Sequence, residues 1–287
     1  MGRTRRAGAP SAEGAVGFFD SGLGGLCILE AFKKLCPYES TVYIADSANC
    51  PYGNRPADEI VRLSRRNTAR LLRRGCKMVV VACNTATAAA IDVLRAENPE
   101  VPFIGIEPAV KPAALRSKTG VVGVLATAGT FDGRLYKETK AKFAKDVTVI
   151  ATVADEFVEI VESNRVELGS GRVELGSGRV ELGSGRVGVA LKDANPTLKD
   201  PKLTLTDPKL LSVVRAKIEP LLNAGCDKIV LGCTHFPHLK PVIEKVCAGR
   251  AEVIDPSDAV ARQAKRVLAQ LGLSAEYRNP KHVFIRT

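Results

Sequence analysis

Two cysteines occupy equivalent positions in two similar stretches of this 287-residue chain. The stretch LLRRGCKMVVVACNT at 71–85 matches LLNAGCDKIVLGCTH at 221–235 at six of fifteen positions, with a constant offset of 150. Each copy predicts a helix end, a glycine, a buried strand and then a cysteine, Cys83 or Cys233, followed by polar residues. Because open parallel sheets bind ligands at the carboxyl ends of their strands, we expect both thiols to face one cleft.

Two acid/base groups of the same kind suit a reaction that removes a proton from one face of a carbon and returns one to the other face. Racemisation of an amino acid is such a reaction. A thiol has a pKa of about 8.5, which neighbouring cations or helix ends lower, so we expect a thiolate to be accessible near neutral pH. The alternative is that both cysteines only fill the core. We expect that simpler role for the remaining buried-type cysteines, Cys27, Cys36, Cys76, Cys226 and Cys247.

Alternating apolar runs and amphipathic stretches predict the elements that position these cysteines. Strands are predicted at 16–19, 41–45, 78–82, 102–106, 120–125, 148–152, 228–231 and 252–254. Helices are predicted at 26–35, 60–74, 87–97, 135–143, 156–162, 209–223, 240–246 and 259–271. This alternation predicts an α/β protein with parallel sheets covered by helices on both faces.

The length of the chain favours two domains. We expect a first α/β domain at 15–112 plus 258–287, which carries Cys83, and a second at 113–257, which carries Cys233. Residues 1–14 predict a flexible basic extension. The heptapeptide RVELGSG is written three times at 165–185, and its glycine and serine content predicts a repetitive loop insertion at about 163–207.

Composition excludes several classes of protein. Apolar residues make up 45% and charged residues 25%, as in folded globular proteins. The apolar runs are far shorter than the roughly 20 residues that span a bilayer, so no membrane partner is expected. The net charge is +11, but aromatic residues are only 5% and no nucleic-acid motif accompanies the charge, so we expect a basic surface that binds no nucleic acid.

The eight cysteines form no C-x-x-C pair, so we expect reduced thiols and no metal site. The N-terminus has no secretory pattern, so we expect a cytoplasmic location.

Six strings follow one another along the chain: FFDSGLGG, CPYGN, VACNTATA, GIEP, GCTHFPHL and VID. Together they resemble the glutamate racemases of the Asp/Glu racemase superfamily, and the resemblance covers about residues 15–162 and 209–287. It implies two flavodoxin-like domains related by pseudo-two-fold symmetry, an active site in the cleft between them, and a homodimer. It also implies interconversion of L-glutamate and D-glutamate without a cofactor, which supplies D-glutamate for peptidoglycan.

The resemblance assigns roles to individual residues. In the family, the cysteine matching Cys233 takes the proton from L-glutamate, and the one matching Cys83 takes it from D-glutamate. Asp20 matches an acid beside the first thiol, and His235 matches an imidazole beside the second. From the residues alone, Asp20 could be the N-cap of the following helix, which is compatible with both roles, and His235 could be structural. The family positions that hold the substrate correspond to Ser21, Pro51, Tyr52, Gly53, Asn84, Thr85, Thr127, Thr130 and Thr234.

One stretch departs from the family pattern. Val153-Ala154-Asp155 stands where the family has Ala-Cys-Pro, before the helix that carries a further catalytic acid. Glu162 aligns with that acid, but its helix leads directly into the repeats, which leaves its position open. Two other functions also stay open: a racemase of aspartate or another small acidic amino acid, and a non-catalytic α/β protein that binds a phosphate or nucleotide through DSGLGG.

Overall fold

Two parallel β-sheets form the centre of the computed structural model, which describes residues 10–165, 178–182, 207–276 and 279–287. The strands are β1 (Val16–Asp20), β2 (Thr41–Ala45), β3 (Met78–Val81), β4 (Phe103–Gly105), β5 (Val121–Ala126), β6 (Thr148–Val153), β7 (Gly178–Leu182), β8 (Lys228–Leu231), β9 (Glu252–Ile254) and β10 (His282–Arg286). The helices are α1 (Leu26–Leu35), α2 (Ala57–Leu72), α3 (Asn84–Glu97), α4 (Val110–Arg116), α5 (Ala128–Asp132), α6 (Arg134–Phe143), α7 (Asp155–Arg165), α8 (Pro208–Asn223), α9 (Lys240–Cys247) and α10 (Ser257–Gln270). Short 3-10 helices occur at Ser47–Asn49 and Phe236–Leu239. In the described part of the chain, no helix combines the length and the apolar character needed to cross a membrane.

The two sheets share one strand order. The first sheet runs β4-β3-β1-β2-β10-β7 and the second runs β6-β5-β8-β9, with every neighbouring pair parallel. Written in the opposite direction, the second sheet is β9-β8-β5-β6, which corresponds strand by strand to β4-β3-β1-β2 of the first sheet. β3 and β8 are therefore equivalent strands, each beside the first strand of its unit, β1 or β5. The prediction of two parallel-sheet α/β units is therefore confirmed. Their equivalence puts Cys83 and Cys233 after corresponding strands.

Alternation along each strand divides the core between the two faces of a sheet. In β1, Phe18 packs with Phe32 of α1 and with α10, whereas Phe19 packs with Leu63 of α2 on the opposite face. All five β1 residues are buried. Because both faces are covered, the strand reads as a continuous apolar run rather than an alternating one.

Glycines end the corresponding helices α2 and α8. Gly75 has φ +73° and Gly225 has φ +83°, a left-handed conformation that other residues rarely adopt. The backbone N–H groups of the following residues, Cys76 and Cys226, turn back to the carbonyls of Leu71 and Leu221. The two copies of the repeated sequence therefore build the same helix-to-strand turn.

Two segments differ from the predicted pattern. No strand is predicted from the sequence at β10, although its run HVFIR contains three apolar residues; in the structure Ile285 is its one buried side chain. Its strand is formed by pairing with β2. Within the predicted loop at 163–207, two described stretches have regular structure: α7 extends to Arg165, and Gly178–Leu182 forms β7 beside β10. β2 pairs with one edge of β10, and the backbone groups of the other edge pair with β7, whose sequence RVEL alternates polar and apolar residues. The other repeat residues and residues 1–9 lie outside the described part.

Candidate active site

Both repeated cysteines lie at the carboxyl ends of their strands. Cys83 is the N-cap of α3, and its Sγ accepts a hydrogen bond from the backbone N–H of Ala86 at 3.4 Å. Cys233 follows β8, and the two side chains are only 4% and 7% exposed. Burial raises the pKa of the Cys83 thiol to about 12 and that of Cys233 well above its usual value, and charge on Cys83 raises the Cys233 pKa further. Burial of both thiols therefore favours the protonated form, in the direction opposite to the lowering expected from the sequence.

Asp20 is buried at the end of β1 and is linked to the first thiol through Ser21. Its carboxylate accepts hydrogen bonds from the backbone N–H groups of Ser21 and Gly25, each at 2.7 Å. The hydroxyl of Ser21 lies 3.4 Å from Asp20 Oδ1 and 3.8 Å from Cys83 Sγ. Gly25, not Asp20, is the N-cap of α1, so the helix-cap alternative is wrong. Burial raises the pKa of Asp20, and the charge of His235 opposes that shift.

His235 connects the second thiol to a carboxylate. Its Nδ1 lies 3.7 Å from Cys233 Sγ, and its Nε2 lies 2.7 Å from Glu162 Oε1. The same Glu162 oxygen accepts a hydrogen bond from the backbone N–H of Leu23 at 2.8 Å. Leu23 follows β1 of the first sheet, so Glu162 joins the two units. The altered sequence at Val153-Ala154-Asp155 has not moved this carboxylate away from His235.

Core packing explains why Glu162 stays at the site. The preceding helix residues Phe157 and Val161 are buried, and the ring of Phe157 meets that of Phe236 edge to face, with centroids 5.3 Å apart. Phe236 directly follows His235 in the chain. The contact therefore fixes the start of α7 against the segment that carries His235, and Glu162 follows one residue after the buried Val161.

Asn84 presents an unpaired amide beside Cys83. The side chain is 3% exposed, and neither its oxygen nor its nitrogen has a hydrogen-bond partner among the described residues. A buried amide left without partners costs about 1–3 kcal/mol. Such a group at the carboxyl end of a strand is available to a polar ligand, to which it can both donate and accept.

Buried threonines connect the two units across the cleft. The hydroxyl of Thr127 lies 2.9 Å from that of Thr85 and 3.0 Å from that of Thr130. On the other side, the Thr234 hydroxyl lies 3.4 Å from Asp20 Oδ2. Both contacts join the two sheet units. Asp20 and Thr85 belong to the first unit, and Thr127 and Thr234 belong to the second.

A sequence model of the Asp/Glu/hydantoin racemase family matches residues 27–168 and 181–264. This chain belongs to that family. It is 39% identical to the glutamate racemase of Herpetosiphon aurantiacus over 266 residues, which are 93% of this chain and 87% of the relative. It is 38% identical to the glutamate racemase of Ectopseudomonas mendocina over 264 residues, which are 92% of this chain and 86% of the relative. The crystal structure of a Bacillus anthracis glutamate racemase superposes with a TM-score of 0.75 at 27% identity, covering 96% of this chain and 89% of that chain.

Within this Asp/Glu/hydantoin racemase family fold, Tyr52 supports the site rather than lining it with its hydroxyl. The Tyr52 O–H donates to Asp46 Oδ2 at 2.6 Å, and the amide of Asn67 donates to both groups at 3.2 Å. The next residue, Gly53, approaches Thr127: a Cβ added to Gly53 would lie 3.1 Å from the Thr127 Cβ. The buried hydrogen bonds of Tyr52 therefore anchor the loop that meets the second unit.

Two residues near the site were missed by the sequence analysis. Asp46 directly follows β2, and this position at the carboxyl end of a parallel strand was the available signal. Cys50 precedes Pro51 through a cis peptide bond and is half-buried. Its only sequence signal was its place in the string CPYGN, in which Pro51 had been singled out as a substrate contact. Pro51 lies in the same loop, between Cys50 and Tyr52.

Proposed function

We propose that this protein interconverts L-glutamate and D-glutamate by proton transfer at the α-carbon, without a cofactor, and supplies D-glutamate for peptidoglycan. The observation that carries the proposal is the pair of buried thiols after β3 and β8, each with its own polar partner. The hydroxyl of Ser21 contacts both Asp20 and Cys83, and Cys233 contacts His235. The relatives that match nearly the whole chain are glutamate racemases, which supports glutamate as the substrate.

The proposed cycle uses one thiolate and one thiol. With L-glutamate, the Cys233 thiolate takes the α-proton, and the electron pair of the broken C–H bond remains on the substrate. The Cys83 thiol then donates its proton to the opposite face, which gives D-glutamate and leaves Cys83 as the thiolate. The reverse direction exchanges the two roles. His235 beside Cys233, and Asp20 through Ser21 beside Cys83, return each sulfur to the state that the next turnover needs.

Burial makes the thiolate unfavourable in the closed protein, as the raised pKa values of both cysteines indicate. The ammonium group on the α-carbon of a bound amino acid would bring a positive charge near the two sulfurs, while hydroxyl and amide donors offset the charge of its carboxylates. An opposite charge at short range favours the ionised form of an acid. The substrate itself therefore lowers the thiol pKa in this mechanism, and the base forms when the substrate is in place.

Neutral groups hold the substrate in this proposal. Its carboxylates and ammonium group contact a set of hydroxyls, amides and backbone groups: Ser21, Pro51, Gly53, Asn84, Thr85, Thr127, Thr130 and Thr234, with Tyr52 anchoring the loop. Hydroxyl and amide groups can donate to a carboxylate without forming an ion pair. This leaves the α-carboxylate of the ground state less stabilised than an arginine would, so stronger interactions can develop as charge moves onto it in the transition state.

Replacing Asn84 with alanine separates substrate binding from folding. Because the amide makes no hydrogen bond to the described residues, its removal deprives the fold of no such contact. We expect Asn84→Ala to raise KM for glutamate at least about tenfold, in line with the loss of one to two hydrogen bonds to a charged group. The melting temperature should not fall. Asn98→Ala, which removes an amide that caps α3 at its other end, is the control and should leave KM unchanged. A lower melting temperature with unchanged KM in Asn84→Ala would assign the amide to folding.

The same proposal extends to assembly and location. We infer a homodimer and a cytoplasmic enzyme. We also infer two domains, at 15–112 plus 258–287 and at 113–257, with β7 of the second range added to the first sheet beside β10. All eight cysteines are free, which supports a reducing compartment. Light scattering coupled to size exclusion tests the dimer, since a mass of one chain at micromolar concentration contradicts it.

Circular dichroism of the substrate tests the function. Incubation of L-glutamate with the purified protein and no added cofactor should reduce the signal to zero, because the two enantiomers are equally stable. L-Aspartate should lose its signal much more slowly. A faster decay with aspartate favours the racemase of smaller acidic amino acids, and no decay with either supports a binding protein. The double variant Cys83→Ser, Cys233→Ser excludes a contaminating racemase.

A further inference from the structure

Three different metal-ligand side chains converge at the junction of the two sheet units. The Cys50 sulfur, a Glu162 carboxylate oxygen and a His235 ring nitrogen all lie within 4.8 Å of one another. Cys50 comes from the loop after β2, Glu162 from α7 and His235 from the segment after β8. In the parts of the chain that the structure describes, no other three or more histidine, cysteine or acidic side chains meet in this way.

The donor set and its spacing suit a tetrahedral divalent ion. Zn²⁺ binds cysteine sulfur at about 2.3 Å and histidine or carboxylate ligands at about 2.0–2.2 Å, which puts neighbouring ligand atoms roughly 3.3–3.8 Å apart. The 2.7 Å contact between His235 Nε2 and Glu162 Oε1 must therefore open by about 0.6 Å. A sulfur ligand and a nitrogen or oxygen ligand lie about 3.5 Å apart on such an ion, so Cys50 must approach by about 1.3 Å at most, given the 4.8 Å limit on the three distances.

The surroundings support both the approach and the orientation of these ligands. A Cβ added to Gly22 would overlap the carboxylate of Glu162 and lie 3.1 Å from the Cys50 sulfur. Glycine at this position therefore leaves space beside both ligand groups that any other side chain would occupy. His235 points its other ring nitrogen at Cys233, 3.7 Å away. A ligating histidine is ordinarily oriented by such a second contact.

We propose that Cys50, Glu162 and His235 form an inhibitory Zn²⁺ site in the active-site cleft. Binding forms a sulfur–zinc bond as Cys50 releases its proton to solvent, and the fourth ligand position is open to water. The ion takes His235 Nε2 away from Glu162 and holds the imidazole in its neutral form, so that it no longer returns protons to Cys233. It also ties the loop after β2 to α7 and occupies the cleft beside Cys233.

Cobalt binding provides a readout that is independent of the proposed racemase activity. Cobalt(II) bound by a thiolate gives a sulfur-to-metal charge-transfer absorption that ligation by nitrogen or oxygen alone lacks. We expect titration of the purified protein to give this absorption at one Co²⁺ per chain, and stoichiometric Zn²⁺ to abolish it. Cys50→Ser should remove the absorption and weaken Zn²⁺ binding at least about tenfold in competition with a chromophoric chelator.

Matched cysteine variants decide which sulfur binds the metal. Cys36→Ser, Cys83→Ser and Cys233→Ser should each keep the absorption, and far-ultraviolet circular dichroism checks that every variant is folded. Loss of the absorption in Cys233→Ser with retention in Cys50→Ser overturns the proposed ligand set. Binding that is absent, or equal in wild type and Cys50→Ser, overturns the site altogether. If Cys50→Ser does not fold, Glu162→Gln should weaken Zn²⁺ binding instead, and unchanged affinity there also overturns the site.

The inhibitory part of the proposal rests on the proposed racemase function. Zn²⁺ should inhibit racemisation by the wild-type protein, and excess chelator should restore the rate. In Cys50→Ser, measured against its own metal-free rate, half-inhibition should require at least about tenfold more Zn²⁺. Equal inhibition of both proteins contradicts the mechanism of inhibition. Failure of racemisation without metal would concern only the proposed function, because cobalt and zinc binding are measured without turnover.

Discussion

Serine at either Cys83 or Cys233 should reduce racemisation by more than about 10³-fold. In the proposed mechanism each thiol acts as base for one enantiomer and as acid for the other, so neither direction can proceed with one thiol alone. A serine hydroxyl keeps a similar size but is far too weakly acidic to supply the base. Loss of a positioned acid or base typically lowers a rate by 10²–10⁴. The change in circular dichroism of L-glutamate and of D-glutamate measures both directions.

A half-reaction distinguishes two catalytic thiols from one. Elimination of a good leaving group from the β-carbon needs only removal of the α-proton. Cys83→Ser should therefore still eliminate from the L-enantiomer through Cys233, and Cys233→Ser should prefer the D-enantiomer. If both variants prefer the same enantiomer, or if either still racemises, the two-thiol mechanism is wrong.

Cys76→Ser and Cys226→Ser are matched controls for these variants. Each of these cysteines is buried and lies at the opposite end of the same strand from Cys83 or Cys233. Serine there introduces a hydroxyl into the core and should lower the melting temperature while racemisation remains within about tenfold of wild type. A loss of activity in the controls as large as in the active-site variants would point to folding rather than chemistry.

Glu162→Gln should lower kcat with L-glutamate by roughly 10–100-fold, and kcat with D-glutamate by less. The carboxylate lies 2.7 Å from His235 Nε2 and stabilises the charged imidazole that forms when His235 takes the proton of Cys233. Glutamine keeps the shape but removes that charge. Cys233 is the proposed base only in the L-to-D direction. Its regeneration is therefore the step that this substitution slows.

The equilibrium between enantiomers constrains how this asymmetry is observed. Because the equilibrium constant is one, kcat/KM must be equal in the two directions for every variant. The difference must appear in kcat, with a compensating difference in KM, so complete saturation curves are needed for both enantiomers. Glu159→Gln removes an exposed carboxylate from the same helix and should change neither constant. Equal small decreases in kcat for both enantiomers would make Glu162 an interdomain contact only, through its hydrogen bond to Leu23.

The fold class and the strand ends could be predicted because their signals are local. Buried parallel strands appear as short apolar runs, and the glycines at 75 and 225 mark helix ends whatever the chain does elsewhere. The repeat also predicted that Cys83 and Cys233 follow corresponding strands, which the shared strand order of the two sheets bears out. By contrast, the place of β10 in the first sheet depends on its pairing with β2 across more than 230 residues of chain, which no local pattern specifies.

The direction of individual side chains at the cleft was decided only by the tertiary structure. The sequence left open where Glu162 lies, and the packing of Phe157 against Phe236 brings it to His235. Tyr52 was predicted to contact substrate, but its hydroxyl turns to Asp46. These outcomes depend on contacts between segments far apart in the chain, which no periodicity encodes.

The ionisation of the two thiols shows the same division between sequence and structure. Residue types determined that the chain carries two paired cysteines, and a free cysteine has a pKa of about 8.5. The closed fold buries both sulfurs and raises both pKa values, because a charged group loses its hydration when it is buried. Desolvation depends on every element that covers a site. The sequence therefore determined which groups can transfer protons, and the tertiary structure decided at what pKa they do so.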